Sequence, residues 1–190
     1  MVLDIGCGTG YWCGLFYQCG LREVVGIDTS LFGLYRALKK YLRGVFIYAN
    51  AKRLRFKEKS FDIVLCQGLP LYNVDKLSST ESLGKELLQY CKDNGLLVFA
   101  WNTNLSGRRR KNSWKQHKRE NVVAYLNSLD CEVIKTYVID RVIFLRIFGR
   151  LVFNSFFAKF LIPTICKITG LPGHLVCIAK KMPSDLGHRI

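Results

Sequence analysis

Residues 2–10, Val-Leu-Asp-Ile-Gly-Cys-Gly-Thr-Gly, constrain the fold more than any other part of this 190-residue chain. Val2, Leu3 and Ile5 make a short apolar strand. Gly6, Gly8 and Gly10 then let the backbone bend sharply and let a ligand approach atoms that a Cβ would shield. Residues 11–19 read as a helix whose first N–H groups point back at the turn. A second strand, residues 24–27, ends in Asp28, where a carboxylate accepts ribose hydroxyls at the carboxyl edge of a parallel sheet. Strand, glycine turn, helix, strand and acid together form the layout of a nucleoside-binding site. The spacing narrows the choice of nucleoside. A dinucleotide site wants Gly-x-Gly-x-x-Gly, but here the third glycine arrives one residue early and position 11 is tyrosine. No Lys-Ser/Thr pair follows to make a phosphate loop.

Asp4-Ile5-Gly6-Cys7-Gly8-Thr9-Gly10 instead resembles the first motif of the class I S-adenosylmethionine (SAM)-dependent methyltransferases, of the type 11-like kind. Later stretches agree in order: a third strand at 45–49, Ser60-Phe61-Asp62 leading into a fourth, and Asn94-Gly95 before a fifth. The likeness is close over about the first hundred residues and continues beyond them by layout. It implies a doubly wound, mostly parallel seven-stranded α/β sheet, a Rossmann-like fold with an antiparallel last strand and a helical insertion before it. It implies SAM as cofactor, held by Asp4, Gly6, Cys7, Gly8, Gly10, Asp28, Thr29, Asn50, Ala51 and Gln67, and no metal. Asn50 stands where members carry an acid that accepts from the adenine amino group; its side-chain oxygen can accept without a charge. Tyr72 stands after the fourth strand where many members carry histidine. It is a candidate for orienting the acceptor, or a cover for the adenine or the core. Members also have a helical segment before the first strand. This chain begins at Met1, so either a more open pocket or a start further upstream is expected.

At this length, with about half the residues apolar, one domain over 1–190 is expected. Eight cysteines lack a paired C-x-x-C arrangement. Cys66, Cys131 and Cys177 fall in strand-like runs and read as small core residues in a reducing cytoplasm. Leu31, Leu34, Tyr35 and Leu38 recur at helical spacing after Ser30, an N-cap. Ser78-Ser79-Thr80-Glu81 offers a capping box for a helix facing inward through Leu83, Leu87 and Leu88. Residues 121–129 make a further helix. Residues 131–139 and 174–181 are the last strands, which the resemblance implies are an antiparallel pair at one sheet edge.

A formal net charge of +15 favours anionic partners. It concentrates in 108–111 and 115–119, interrupted by Trp114 and His117. This stretch is a solvated loop, an RNA contact with Trp114 as a stacking platform, or a contact for acidic lipid headgroups. Residues 142–166 are apolar and aromatic, with Arg146, Arg150 and Asn154 in one helical stripe. The charges and Pro163 argue against a membrane span. An interfacial helix, packing on the sheet, and a contact with a second copy or a partner subunit all fit. Residues 140–172 occupy the position of a substrate cap in several family members.

The resulting expectation is a cytoplasmic SAM-dependent methyltransferase, peripheral at an anionic membrane surface, acting on a small hydrophobic or lipid-linked acceptor. The alternatives are an RNA methyltransferase using 108–119 and a non-catalytic partner subunit of the same fold.

Overall fold

In the computed structural model, residues 1–103, 114–139 and 173–183 are described. The segments 104–113 and 140–172 lie outside them, and with them most of the basic cluster and the whole apolar cap.

Seven strands form one sheet: β1 (Val2–Ile5), β2 (Val24–Asp28), β3 (Val45–Tyr48), β4 (Phe61–Gln67), β5 (Cys91–Thr103), β6 (Cys131–Ile139) and β7 (Gly173–Lys181). Their spatial order is β3-β2-β1-β4-β5-β7-β6. The first five run parallel, and β7 lies antiparallel between β5 and β6. This is the expected doubly wound sheet with its antiparallel pair at one edge. The order reverses direction between β1 and β4, the place where such sheets open a crevice at their carboxyl ends.

Among the described residues, four helices cover the faces: α1 (Tyr11–Gln18), α2 (Leu31–Lys40), α3 (Glu81–Leu88) and α4 (Arg119–Ser128). The central strands are buried on both sides, as parallel strands between helical layers must be. All four residues of β1 are buried. Leu3 and Ile5 join Leu87, Leu126, Phe99 and Trp101 in the larger core. Val2 joins Cys13 of α1 and Leu34 of α2 in the smaller one on the opposite face. Cys66, Cys131 and Cys177 are buried, and all seven described cysteines are free.

Ser30 caps α2 as expected, its Oγ accepting from Gly33 N at 3.1 Å. Gly33 matters a second time: a Cβ there would lie 3.0 Å from the Gly8 carbonyl oxygen, so only a bare backbone lets α2 pass the glycine turn this closely. The capping box before α3 does not form. Residues Leu77–Thr80 wind as a 3-10 turn, and Thr80 Oγ1 donates to the Leu77 carbonyl while Ser79 Oγ donates to that of Lys76. The hydroxyls are turned back along the chain, and Thr80 accepts no cap bond from the helix that follows. β5 starts at Cys91, earlier than expected, because Asn94 takes a left-handed conformation (φ 62°) and the strand absorbs it as an irregularity against β4.

Candidate functional site

The turn after β1 consumes its own donors. Gly6 N and Cys7 N both donate to the Ile27 carbonyl, at 2.8 and 2.9 Å, and Gly10 N donates to that of Cys7 at 2.9 Å. Gly8 N donates to Asp28 Oδ2 at 2.8 Å. Positive φ angles of 78°, 53° and 74° at Gly6, Gly8 and Gly10 make this winding possible, and a Cβ would strain all three. A phosphate cradle needs converging, uncommitted N–H groups. Here four are already bonded inside the protein, which gives the missing dinucleotide spacing a physical meaning.

Asp28 is the hub of the site. Its other oxygen, Oδ1, accepts from Ser30 N at 2.7 Å. Two backbone donors fix the carboxylate in one orientation, and each oxygen keeps a further lone pair for a ligand hydroxyl. Asp28 borders a cleft of about 370 Å³ at the carboxyl ends of β1, β2, β3 and β4. Ile5, Gly6, Ile27 and Thr29 line it on the Asp28 side, Ala49, Asn50 and Ala51 follow β3, and Gly68, Leu69, Pro70 and Leu71 follow β4. Asp28 is the one ionisable side chain among these residues. Leu69 approaches the turn closely: a Cβ on Gly6 would lie 2.5 Å from its Cδ2. Gly8 and Gly68 face open space, with nothing within 4 Å of an added Cβ. Asn50 uses Oδ1 to accept from Lys52 N at 3.0 Å, which caps a short 3-10 turn and steers its amide.

Of the expected site residues, Gly6, Asp28, Thr29, Asn50 and Ala51 line the cleft. Gly8 reaches it through the bond to Asp28, while Cys7 and Gly10 shape the turn from behind. Gln67 ends β4 beside Gly68, one position short of the lining.

Asp4 is displaced from the expected role. Alternation along β1 turns it to the α1 side, where it is 1% exposed and accepts from Cys13 Sγ at 3.2 Å. Its Oδ1 has no partner. Burial raises its pKa to about 7, against the Cys13 thiol and backbone N–H, which lower it.

Tyr72 takes the second of its two expected places, as a cover for the core. Its side chain is 3% exposed, packed edge-on against Phe99, Trp101 and Tyr125, and it does not line the cleft. Burial pushes its phenol well above the usual range. It supports the wall at Pro70 and Leu71 from within the core.

The sequence reading missed Leu69, Pro70, Leu71, Ile27 and Ala49. The parallel strands β1 to β4 all end at this crevice, so the residues following β4 and β3 follow from strand ends alone.

A family model described as a methyltransferase domain matches residues 2–95, about half of the chain. An uncharacterised protein of Methanocaldococcus jannaschii is 32% identical over 98 residues, covering 52% of this chain and 35% of that protein. A tRNA U34 carboxymethyltransferase of Marinobacter nauticus is 31% identical over 98 residues, covering 46% of this chain and 30% of that protein. The chain thus spans about a third of the length of the curated relatives it matches. Among solved structures, an S-adenosylmethionine-dependent methyltransferase from Mesorhizobium loti superposes with a TM-score of 0.64 at 18% identity, over 95% of this chain and 90% of that one. With the methyltransferase-domain model matching residues 2–95 and the fold superposing on a solved SAM-dependent methyltransferase, the chain belongs to the class I SAM-dependent methyltransferase family.

Proposed function

We propose that the cleft at Asp28 binds SAM and that the chain transfers a methyl group to a small, apolar acceptor. One observation carries this reading: Asp28 is clamped by Gly8 and Ser30 N–H groups at the rim of a cleft whose glycine turn spends four of its N–H groups inside the protein. Such a site suits a nucleoside with free ribose hydroxyls and no pyrophosphate. Asp28 would accept the ribose hydroxyls, and Asn50 would meet the adenine edge through the lone pair that Lys52 N leaves free. Ala49, Ala51 and Leu69 would enclose the base. When bound, the cofactor supplies an electrophilic methyl group on a sulfonium.

The protein's own contribution is alignment and exclusion of water. Leu69, Pro70 and Leu71 make one side of the cleft apolar. Holding an acceptor at that side converts an encounter into an oriented contact, an effect worth up to about 7–11 kcal/mol of barrier. Among the described residues lining the cleft Asp28 is the one ionisable side chain, and this reading assigns it to the ribose hydroxyls rather than to proton transfer. Titration calorimetry with S-adenosylhomocysteine tests the proposal. Micromolar binding is expected, and an absence of heat at millimolar ligand would falsify it.

RNA as acceptor is the second reading. It is supported by the relative described as a tRNA carboxymethyltransferase and by the net charge of +15. It predicts that tritiated methyl groups enter RNA, and that binding weakens steeply with salt as released counterions dictate. Binding of the cofactor product with no transfer to either acceptor class would favour a non-catalytic partner subunit.

A further inference from the structure

The stretch between Asp28 and Glu58 carries eight lysines and arginines and not one acidic residue. It builds α2 and the edge strand β3, and only Thr29, Ala49, Asn50 and Ala51 of it line the cleft. At the far end of α2, on the side of the sheet opposite the cleft, lies a groove of about 560 Å³. Arg22, Lys40 and Arg43 line it together with Tyr17, Tyr41 and Leu42, and no carboxylate does. None of the three cations forms an ion pair among the described residues; Lys40 lies over the Tyr41 ring at 5.1 Å. The nearest acid in sequence, Glu23, is exposed just outside the groove.

The outer face of α2 is equally unusual. A helix packed on a sheet normally turns its apolar residues inward. This one buries Gly33, Leu34 and Ala37 but leaves Leu31, Phe32, Tyr35 and Leu38 outside. Phe32 is 71% exposed, and Leu42, at the mouth of the groove, is 88% exposed. Arg36 lies over the Phe32 ring at 5.6 Å and Lys39 over the Tyr35 ring at 4.6 Å. Large apolar side chains interleaved with cations on one surface mark an interaction site.

We infer that the outer face of α2 and the groove at its base are a docking surface for an anionic phospholipid bilayer, with Arg22, Lys40 and Arg43 meeting headgroup phosphates and Leu42 and Phe32 entering the acyl boundary. The chemistry separates a bilayer from RNA as occupant. Stacking on bases needs open aromatic faces, and the Phe32 and Tyr35 rings already carry cations. Leu31, Leu38 and Leu42 gain nothing from a base but lose water in a membrane interface. The charge is complementary, each cation near an anionic surface strengthening binding about fivefold. The geometry is compatible with access to the cleft, because α2 starts at its rim, where Ser30 N holds Asp28. The inference does not depend on methyl transfer, so the two can fail separately.

Flotation of the full chain with vesicles of phosphatidylcholine containing 30% phosphatidylglycerol, against pure phosphatidylcholine, tests it. Recovery with the anionic vesicles only is expected. Charge reversal of the groove, Arg22→Glu with Lys40→Glu and Arg43→Glu, is expected to weaken binding about 100-fold, three steps of the fivefold estimate. A far-ultraviolet circular dichroism spectrum and melting temperature unchanged from wild type would establish that this variant is folded. A second variant, Leu42→Trp, reports insertion directly: its added emission is expected to shift blue and to be quenched by brominated acyl chains. Wild-type protein that stays with the pellet, a triple variant that floats as well as wild type, or an introduced tryptophan that lipid bromine does not quench would each overturn the inference. Binding of single-stranded RNA through the same three cations, without flotation, would replace the bilayer with nucleic acid.

Discussion

Single residues carry the sharpest tests. Asp28 accepts from Gly8 N and Ser30 N, and charge-assisted bonds of this kind contribute about 1.5–3 kcal/mol each when lost from a buried or half-buried site. Asp28→Asn keeps the shape but removes the charge and one pair of acceptors, so calorimetry should find S-adenosylhomocysteine binding about 10- to 100-fold weaker. An unchanged affinity would mean that the ribose lies elsewhere. Asp4 behaves differently because its burial raises its pKa to about 7, from an unfolded value near 3.8. Between those limits the native state holds a proton that the unfolded chain has released, so stability falls as pH rises from about 4 to about 7. Asp4→Asn should flatten that stretch of a denaturant-midpoint profile, leaving the variant relatively more stable at pH 8 than at pH 4. A profile that keeps its slope would show that Asp4 ionises normally. These two aspartates also mark what could be read in advance. Asp28 follows a strand and precedes a cap, so its place at the sheet's carboxyl edge comes with the pattern. Asp4 sits inside β1, where a side chain's face depends on alternation. Its neighbours Leu3 and Ile5 claim the face toward the larger core, and Asp4 is left facing α1.

Among the elements, continuous apolar strands and the Ser30-capped helix were readable because period and cap both act locally. The 3-10 turns were not. Pro70–Tyr72 winds tightly enough to bury Tyr72 and to bring Pro70 and Leu71 to the cleft, and nothing in the composition of that stretch distinguishes the two outcomes. What fixes it is tertiary. His117 Nε2 bonds the Tyr72 carbonyl at 3.1 Å, and Trp101 Nε1 donates to the Lys115 carbonyl at 2.8 Å, pinning residues 115–117 beneath the turn. His117 is buried, and burial lowers its pKa below the ordinary value, the Tyr72 carbonyl opposing that shift. A depressed native value means that the unfolded chain binds the extra proton. The stability that neutral His117 brings is thus present above about pH 6.5 and is lost as pH falls. His117→Phe should preserve the packing against Trp101 but orphan the carbonyl, costing about 1–3 kcal/mol. Faster amide exchange at 69–73 than in β1 is the expected signature, and uniform exchange across both would place the damage elsewhere.

For the molecule as a whole, the order β3-β2-β1-β4-β5-β7-β6 is not contained in any local period, since strand neighbours depend on crossovers and not on residues; the family resemblance implied the doubly wound sheet and its antiparallel edge pair. Charge, by contrast, is a global quantity that the sequence states outright. A surplus of 15 positive charges on 190 residues repels itself in the compact state and relaxes on unfolding. The described ion pairs, such as Lys59 with Asp93 at 2.6 Å and Lys92 with Asp62 at 2.7 Å, are surface contacts worth about 0–1 kcal/mol each. They are too few and too exposed to reverse the balance. Salt shortens the Debye length to about 8 Å at physiological strength and screens long-range repulsion before it weakens contacts at 3 Å. The melting temperature should therefore rise as sodium chloride goes from about 20 to about 300 mM, opposite to a fold held by surface ion pairs. Sodium sulfate separates screening from surface exclusion, because excluded ions strengthen apolar burial in any protein. At equal ionic strength, similar rises in chloride and sulfate indicate relieved repulsion. A rise in sulfate alone, or a fall in chloride, would show that the positive surplus costs the folded state nothing.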